Sequence, residues 1–233
     1  MKSSPGEAPS IRHSGPPLLL PALVYTVLLL GGAFTLSAAF RIPHDSAPSA
    51  VAYIARMTRP LSWGSLCEFG SAIPLAVFVA TAVSRLHFLR VRAAGVTIAL
   101  TGGVLAVAML LLSGLATWSL TRPGIAAADG AVRTLQALAF AAGGPGFVVP
   151  LGLFVAGVSV TAGLYRLVPR WIMVLGLVVA LGCELASFTV VFWIASWCIP
   201  FGRFLSVVWM MAVAICLPTR VSAKGAAPFS TAA

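Results

Sequence analysis

Four stretches of this chain are long, apolar and almost free of charge. Residues 17–40, 93–120 and 145–165 contain no acidic side chain and no lysine or arginine, and 171–218 contains only Glu184 and Arg203. A helix of roughly 20 apolar residues spans the hydrocarbon of a bilayer, about 30 Å. A chain that meets this length repeatedly is expected to cross a membrane several times, because lipid-exposed backbone must satisfy its hydrogen bonds within each helix.

Composition excludes the soluble alternative. Hydrophobic residues make up 60% of the chain and charged residues only 9%, against about 25% charged in an ordinary soluble domain. The formal net charge is +10, but its cations sit in short connections beside apolar runs: Arg90 with Arg92, Arg166 with Arg170, Arg220 with Lys224. Such cations act as topology signals and contacts for anionic lipid. No basic face is interleaved with aromatics, so nucleic acid is not an expected partner; the bilayer is. Lys2 and Lys224 are the only lysines, and the Ala- and Gly-rich remainder has the composition of a GC-rich bacterial genome.

The pattern predicts an all-α, polytopic transmembrane helical bundle of about six spans, at 17–40, 62–86, 94–119, 147–166, 171–193 and 203–217. Residues 1–16 and 219–233 are polar, small and unpatterned, and are expected to be disordered tails around a single helical domain, 17–218. The first span exceeds a signal-peptide core, about 7–15 residues, so it is expected to stay uncleaved despite the small residues Ser37-Ala38-Ala39. Two short interfacial helices are expected. Near 50–58, Val51, Ile54 and Met57 fall at helical spacing among Arg56 and Arg59. Near 131–142, an apolar segment containing Arg133 and Gln136 ends at Gly143-Gly144-Pro145-Gly146, which a straight helix should not traverse; the alternative is one long helix sharply bent there. A tight turn is expected from Ser196 through Pro200 to Gly202. With six spans both termini share one face, and Lys2, Arg12, Arg85, Arg90, Arg92, Arg166, Arg170, Arg220 and Lys224 fall with them. The positive-inside bias then places both termini in the cytoplasm.

Candidate chemistry is sparse. Glu184 is expected near the centre of the fifth span, with Ser187 three residues on and sharing its face. An intramembrane carboxylate is paired, protonated or turned to water. It reads either as a proton- or cation-coupled site or as a packing hydrogen bond, with Arg203 the nearest partner for it. Glu68 is a second such acid. Cys67-Glu68-Phe69-Gly70-Ser71 and Cys183-Glu184-Leu185-Ala186-Ser187 match in pattern, although five residues are little basis for a repeat. Cys67, Cys183, Cys198 and Cys216 form no metal or redox motif. Cys67 and Cys198 both fall near the non-cytoplasmic side, where an oxidising compartment would allow them to pair. His13, His44 and His87 lie in a tail and two loops, and His44-Asp45 lacks the second half of a metal site. No catalytic, metal or cofactor motif is present, so no cofactor is expected. Small residues such as Gly95, Gly102, Gly152 and Gly157 are expected to pack the bundle internally, with a homo-oligomer or another membrane protein as the alternative use.

Three segments carry a resemblance: Ala52-Tyr53-Ile54-Ala55-Arg56 with Leu61-Ser62-Trp63, Gly146-Phe147-Val148-Val149-Pro150-Leu151-Gly152, and Pro200-Phe201-Gly202-Arg203-Phe204 with Val208-Trp209 and Leu217-Pro218. Over about residues 20–218 the chain resembles uncharacterised bacterial six-span integral membrane proteins. That resemblance implies a bacterial inner membrane and no established activity. The expected function is a non-enzymatic, multi-pass membrane component; the alternative is a small proton- or cation-coupled transporter or channel centred on Glu184.

Overall fold

A computed structural model describes residues 10–39, 47–126 and 128–222. The chain forms β1 (Ser10–Arg12), α1 (Leu19–Ala39), α2 (Ala47–Phe88), α3 (Ala94–Ser119), α4 (Pro123–Ala126), α5 (Asp129–Gly143), α6 (Pro145–Leu164), α7 (Arg170–Leu185), α8 (Cys198–Cys216) and β2 (Arg220–Ser222). The fold is an all-α helical bundle. Five helical stretches among the described residues are long and apolar enough to cross a membrane, the longest being Gly130–Leu164, broken at Gly144, and Arg56–Phe88; α1 contributes a shorter apolar one, Leu19–Thr35.

The helices pack in sequence, α1 on α2, α2 on α3, α3 on α6, α6 on α7 and α7 on α8, and α8 returns to touch α1. Phe78 of α2, Phe154 of α6 and Trp209 of α8, all fully buried, join edge to face at centroid separations of 6.1 and 5.8 Å. Edge-to-face geometry is the favoured arrangement of aromatic quadrupoles. A smaller cluster of Ile54, Leu61, Leu120 and Val132 joins α2 to α5 near the opposite end. The outward surface is apolar too. Leu20, Val27, Phe34, Ile73, Leu181 and Ile215 are all at least 60% exposed. In water this would be an aggregation surface; against acyl chains it is solvated.

Four expectations change. The segment 50–58 is helical but not separate, because α2 continues unbroken through Pro60 and Pro74. Proline removes one N–H without forbidding its own helical φ. Around Pro60, Thr58 and Ser62 return their hydroxyls to the carbonyls of Ile54 and Thr58, at 3.0 and 2.8 Å, and Ile54 and Leu61 on either side are buried against Leu120 and Val132, which holds the helix across the proline. The turn expected at Ser196–Gly202 lies earlier. A 3-10 turn (Ala186–Val190) follows α7, the chain bends at Val191–Phe192, and a second 3-10 turn (Trp193–Trp197) leads into α8. Pro200 therefore stands in the first turn of α8, where proline is tolerated. Glu184 is displaced in consequence, from mid-span to the last turn of α7. The tails, finally, are not wholly unstructured. β1 and β2 pair antiparallel, Ser10 opposite Ser222 and Arg12 opposite Arg220. His13 extends the pairing with an N–H to Thr219 O bond of 2.9 Å and packs its ring edge on Phe88. Residues 1–9 and 223–233 lie outside the described residues, as do His44 and Asp45.

The break at 143–146 is as expected. α5 ends at Gly143, Gly144 leaves helical geometry at φ −86° and ψ −108°, and Pro145 opens α6. α5 then lies on α3, with its C-terminal end turned into the bundle.

Candidate functional site

An ionisable group buried among apolar side chains is expensive unless it is paired and hydrogen-bonded. Glu68 meets both conditions. It projects from α2 into the bundle and is 7% exposed. The Ser113 hydroxyl of α3 donates to its Oε1 at 2.9 Å, and Arg203 of α8 brings Nη2 to within 3.8 Å of the same oxygen.

The two partners of Glu68 also hold the end of α5. Arg203 Nη2 donates to Gly143 O at 2.8 Å, and Ser113 Oγ lies 3.0 Å from Ala139 O. Helix C-terminal carbonyls lack partners of their own and carry the negative end of the helix dipole, so a guanidinium there is doubly favourable. The guanidinium also stands 5.0 Å from the centroid of Phe147 at the start of α6. One carboxylate, one hydroxyl and one arginine thus join α2, α3, α5 and α8.

Glycine makes this approach possible. A Cβ on Gly143 would stand 3.0 Å from Glu68 Oε1 and collide with the Ser113 hydroxyl. The Gly143–Gly146 run therefore does more than end a helix: it lets the end of α5 reach the buried acid. Sequence reasoning saw only the break. Ser113 was missed as a partner as well; within the uncharged run 93–120 it is one hydroxyl beside Thr97, Thr101, Thr117 and Ser119, and nothing local sets it apart.

Of the four residues singled out beforehand, Glu68 and Arg203 come together, whereas Glu184 and Ser187 do not join them. Arg203 pairs with Glu68 rather than with Glu184. Glu184 is half-buried and turns toward Gly152 of α6, where a Cβ would lie 3.2 Å from its Oε1; that oxygen is buried without a hydrogen-bond partner among the described residues. Ser187 is exposed and donates to the main-chain oxygen of Glu184 at 2.6 Å, not to its carboxylate. Ser71 makes the equivalent bond to Glu68 O at 2.7 Å. The matching Cys-Glu strings share this local bond, but their carboxylates meet different surroundings.

Further polar atoms lie buried without partners: Tyr25 Oη, Arg203 Nε, Ser159 Oγ and Trp209 Nε1. Tyr25, on α1, is fully buried. All four cysteines are free thiols, Cys67 and Cys198 included. Among the described residues no group of three or more His, Cys, Asp or Glu side chains is placed to hold a metal. No protein-family model, curated protein or solved structure matches the chain.

Proposed function

We propose that this chain is a multi-pass integral membrane protein of a bacterial inner (plasma) membrane, of the uncharacterised six-span kind it resembles, and that it acts there as a non-enzymatic membrane component. Its working centre is the Glu68–Ser113–Arg203 cluster, which fastens α5 to the bundle. The observation that carries this reading is the approach of Ser113 and Arg203 to Glu68 Oε1 while Arg203 also donates to Gly143 O and the Ser113 oxygen stands beside Ala139 O, its single proton serving one acceptor at a time. Every group in that set serves as a fastening, and none is presented as a nucleophile with its base.

Both termini lie on the cytoplasmic side in this reading. The β1–β2 pairing sets the two ends of the described chain on one face. Arg12, Arg85, Arg90, Arg92, Arg166, Arg170 and Arg220 belong to that face, against Arg56, Arg59, Arg122, Arg133 and Arg203 toward the other. An excess of arginine on one side is what the positive-inside rule reads.

A second reading, proton- or cation-coupled transport, draws on Glu184 Oε1 and Tyr25 Oη. Buried polar atoms without partners are where a water or an ion is commonly found. Reconstitution separates the two. Proteoliposomes with the wild-type chain should show no proton or cation flux above protein-free vesicles. A flux that Glu184→Gln abolishes replaces the first reading with the second.

A further inference from the structure

Two loops lie side by side at the end of the bundle that carries the paired strands. The α2–α3 loop contains Arg90 and Arg92; the α6–α7 loop contains Arg166, and Arg170 opens α7. Their adjacency follows from antiparallel packing of α3 on α6. Gly95, three residues after Arg92, lies against Thr161, five residues before Arg166. All four arginines are exposed. The side chains of Arg92, Arg166 and Arg170 make no hydrogen bond or ion pair among the described residues, and no described acid belongs to this end.

The backbone beneath two of them is unusual. Arg166 stands at φ 55° and Arg90 at φ 61°, in the left-handed region where a Cβ is strained and glycine is the usual occupant. Each closes its helix in the same way. Leu167 N–H reaches Ala162 O at 2.8 Å and Arg166 N–H reaches Gly163 O at 3.0 Å; Val91 N–H reaches Leu86 O at 3.1 Å and Arg90 N–H reaches His87 O at 2.9 Å. This paired closure asks nothing of an arginine side chain, and glycine would relax it. The local backbone gives no reason for an arginine at either position, which directs attention to what its guanidinium meets outside the chain.

Its surroundings name that partner. Tyr165 and Trp171, 48% and 56% exposed, flank the same loop beside exposed Leu164. Amphipathic rings between an apolar flank and a charged end mark headgroup depth, and a planar guanidinium fork matches phosphate oxygens. We propose that Arg92, Arg166 and Arg170, with Arg90 beside them, bind the phosphate of an anionic phospholipid headgroup. This site presupposes the membrane-spanning reading above.

The test follows thermal unfolding of the full chain in neutral detergent micelles, with phosphatidylglycerol, phosphatidylcholine or inorganic phosphate added. Phosphatidylglycerol should raise the midpoint by about 3 °C more than phosphatidylcholine, the size expected of a ligand at several-fold excess over its Kd, and inorganic phosphate should not. Arg166→Gly combined with Arg92→Gln and Arg170→Gln should lose that difference. Arg166→Gly alone should diminish it while leaving the lipid-free midpoint at or above the wild-type value, so the site stays testable if the triple variant fails to fold. The proposal is overturned if the triple variant keeps the difference, if phosphate alone reproduces it, or if Arg166→Gly lowers the lipid-free midpoint. Carbonate extraction of membranes separates the two levels. A chain released by carbonate removes the membrane reading itself, whereas a retained chain that ignores phosphatidylglycerol removes only this site.

Discussion

Glu68 and Glu184 are both acids on apolar helices, each preceded by cysteine and followed three residues later by serine. Their difference lies wholly in what faces them. Glu68 looks across to Ser113 and Arg203, whereas the Oε1 of Glu184 looks at Gly152. Removing one member of a buried ion pair strands the other charge, at a cost of about 3–5 kcal/mol. Glu68→Ala and Arg203→Ala should each destabilise the bundle on that scale. The double variant should lose less than the sum of the two, a coupling that a double-mutant cycle in detergent unfolding would measure. Glu184→Gln removes no ion pair and should change stability by no more than about 0.5 kcal/mol. A larger loss from Glu184→Gln than from Glu68→Gln would reverse the ranking of the two acids.

At the scale of elements, the close crossings are made by small residues. α3 and α6 cross where Gly157 faces α3, and a Cβ there would stand 2.6 Å from Gly95 O and 2.7 Å from Ala99 N. Since backbone atoms cannot swing aside as a side chain can, Gly157→Val should separate the helices. Overpacking of this kind costs about 1–3 kcal/mol, readable as a lowered unfolding midpoint with helical content retained. Gly143 serves the end of α5 in the same manner. Gly143→Ala should weaken the hold of Arg203 and Ser113 on that helix, readable as a lowered unfolding midpoint. An unchanged midpoint would mean that α5 does not depend on this contact. These small residues were legible in the sequence as packing residues, but their partners were not. A Gly-xxx-Gly spacing specifies one face of one helix, and the opposing surface belongs to another helix.

For the molecule as a whole, the strand pair ties residues 10–12 to 220–222. Topology reporters fused at the two termini should therefore give the same polarity, and the Arg90 and Arg166 loops should label from that side as well. Opposite polarities would contradict the pairing. The exposed apolar flank demands a comparable result from extraction: the chain should stay with the membrane in alkaline carbonate and leave only with detergent.

Helix type, the apolar runs and the break at Gly143–Gly146 were readable from local information, because hydropathy, length and backbone preference act within one segment. So was the clustering of arginines in short loops, since charge is excluded from apolar runs wherever they fold. The continuity of α2 through Pro60 was less accessible; proline weakens a helix, and the burial of Ile54 and Leu61 against Leu120 and Val132 holds its two flanks in line. The partner of Arg203 was out of reach. From sequence distance Glu184 was the nearer acid, nineteen residues away against one hundred and thirty-five for Glu68. Tertiary packing brought Glu68 of α2 and Ser113 of α3 within reach of the Arg203 side chain and left Glu184 facing α6, because interaction between charges depends on separation in space and on burial, and neither is a property of position along the chain.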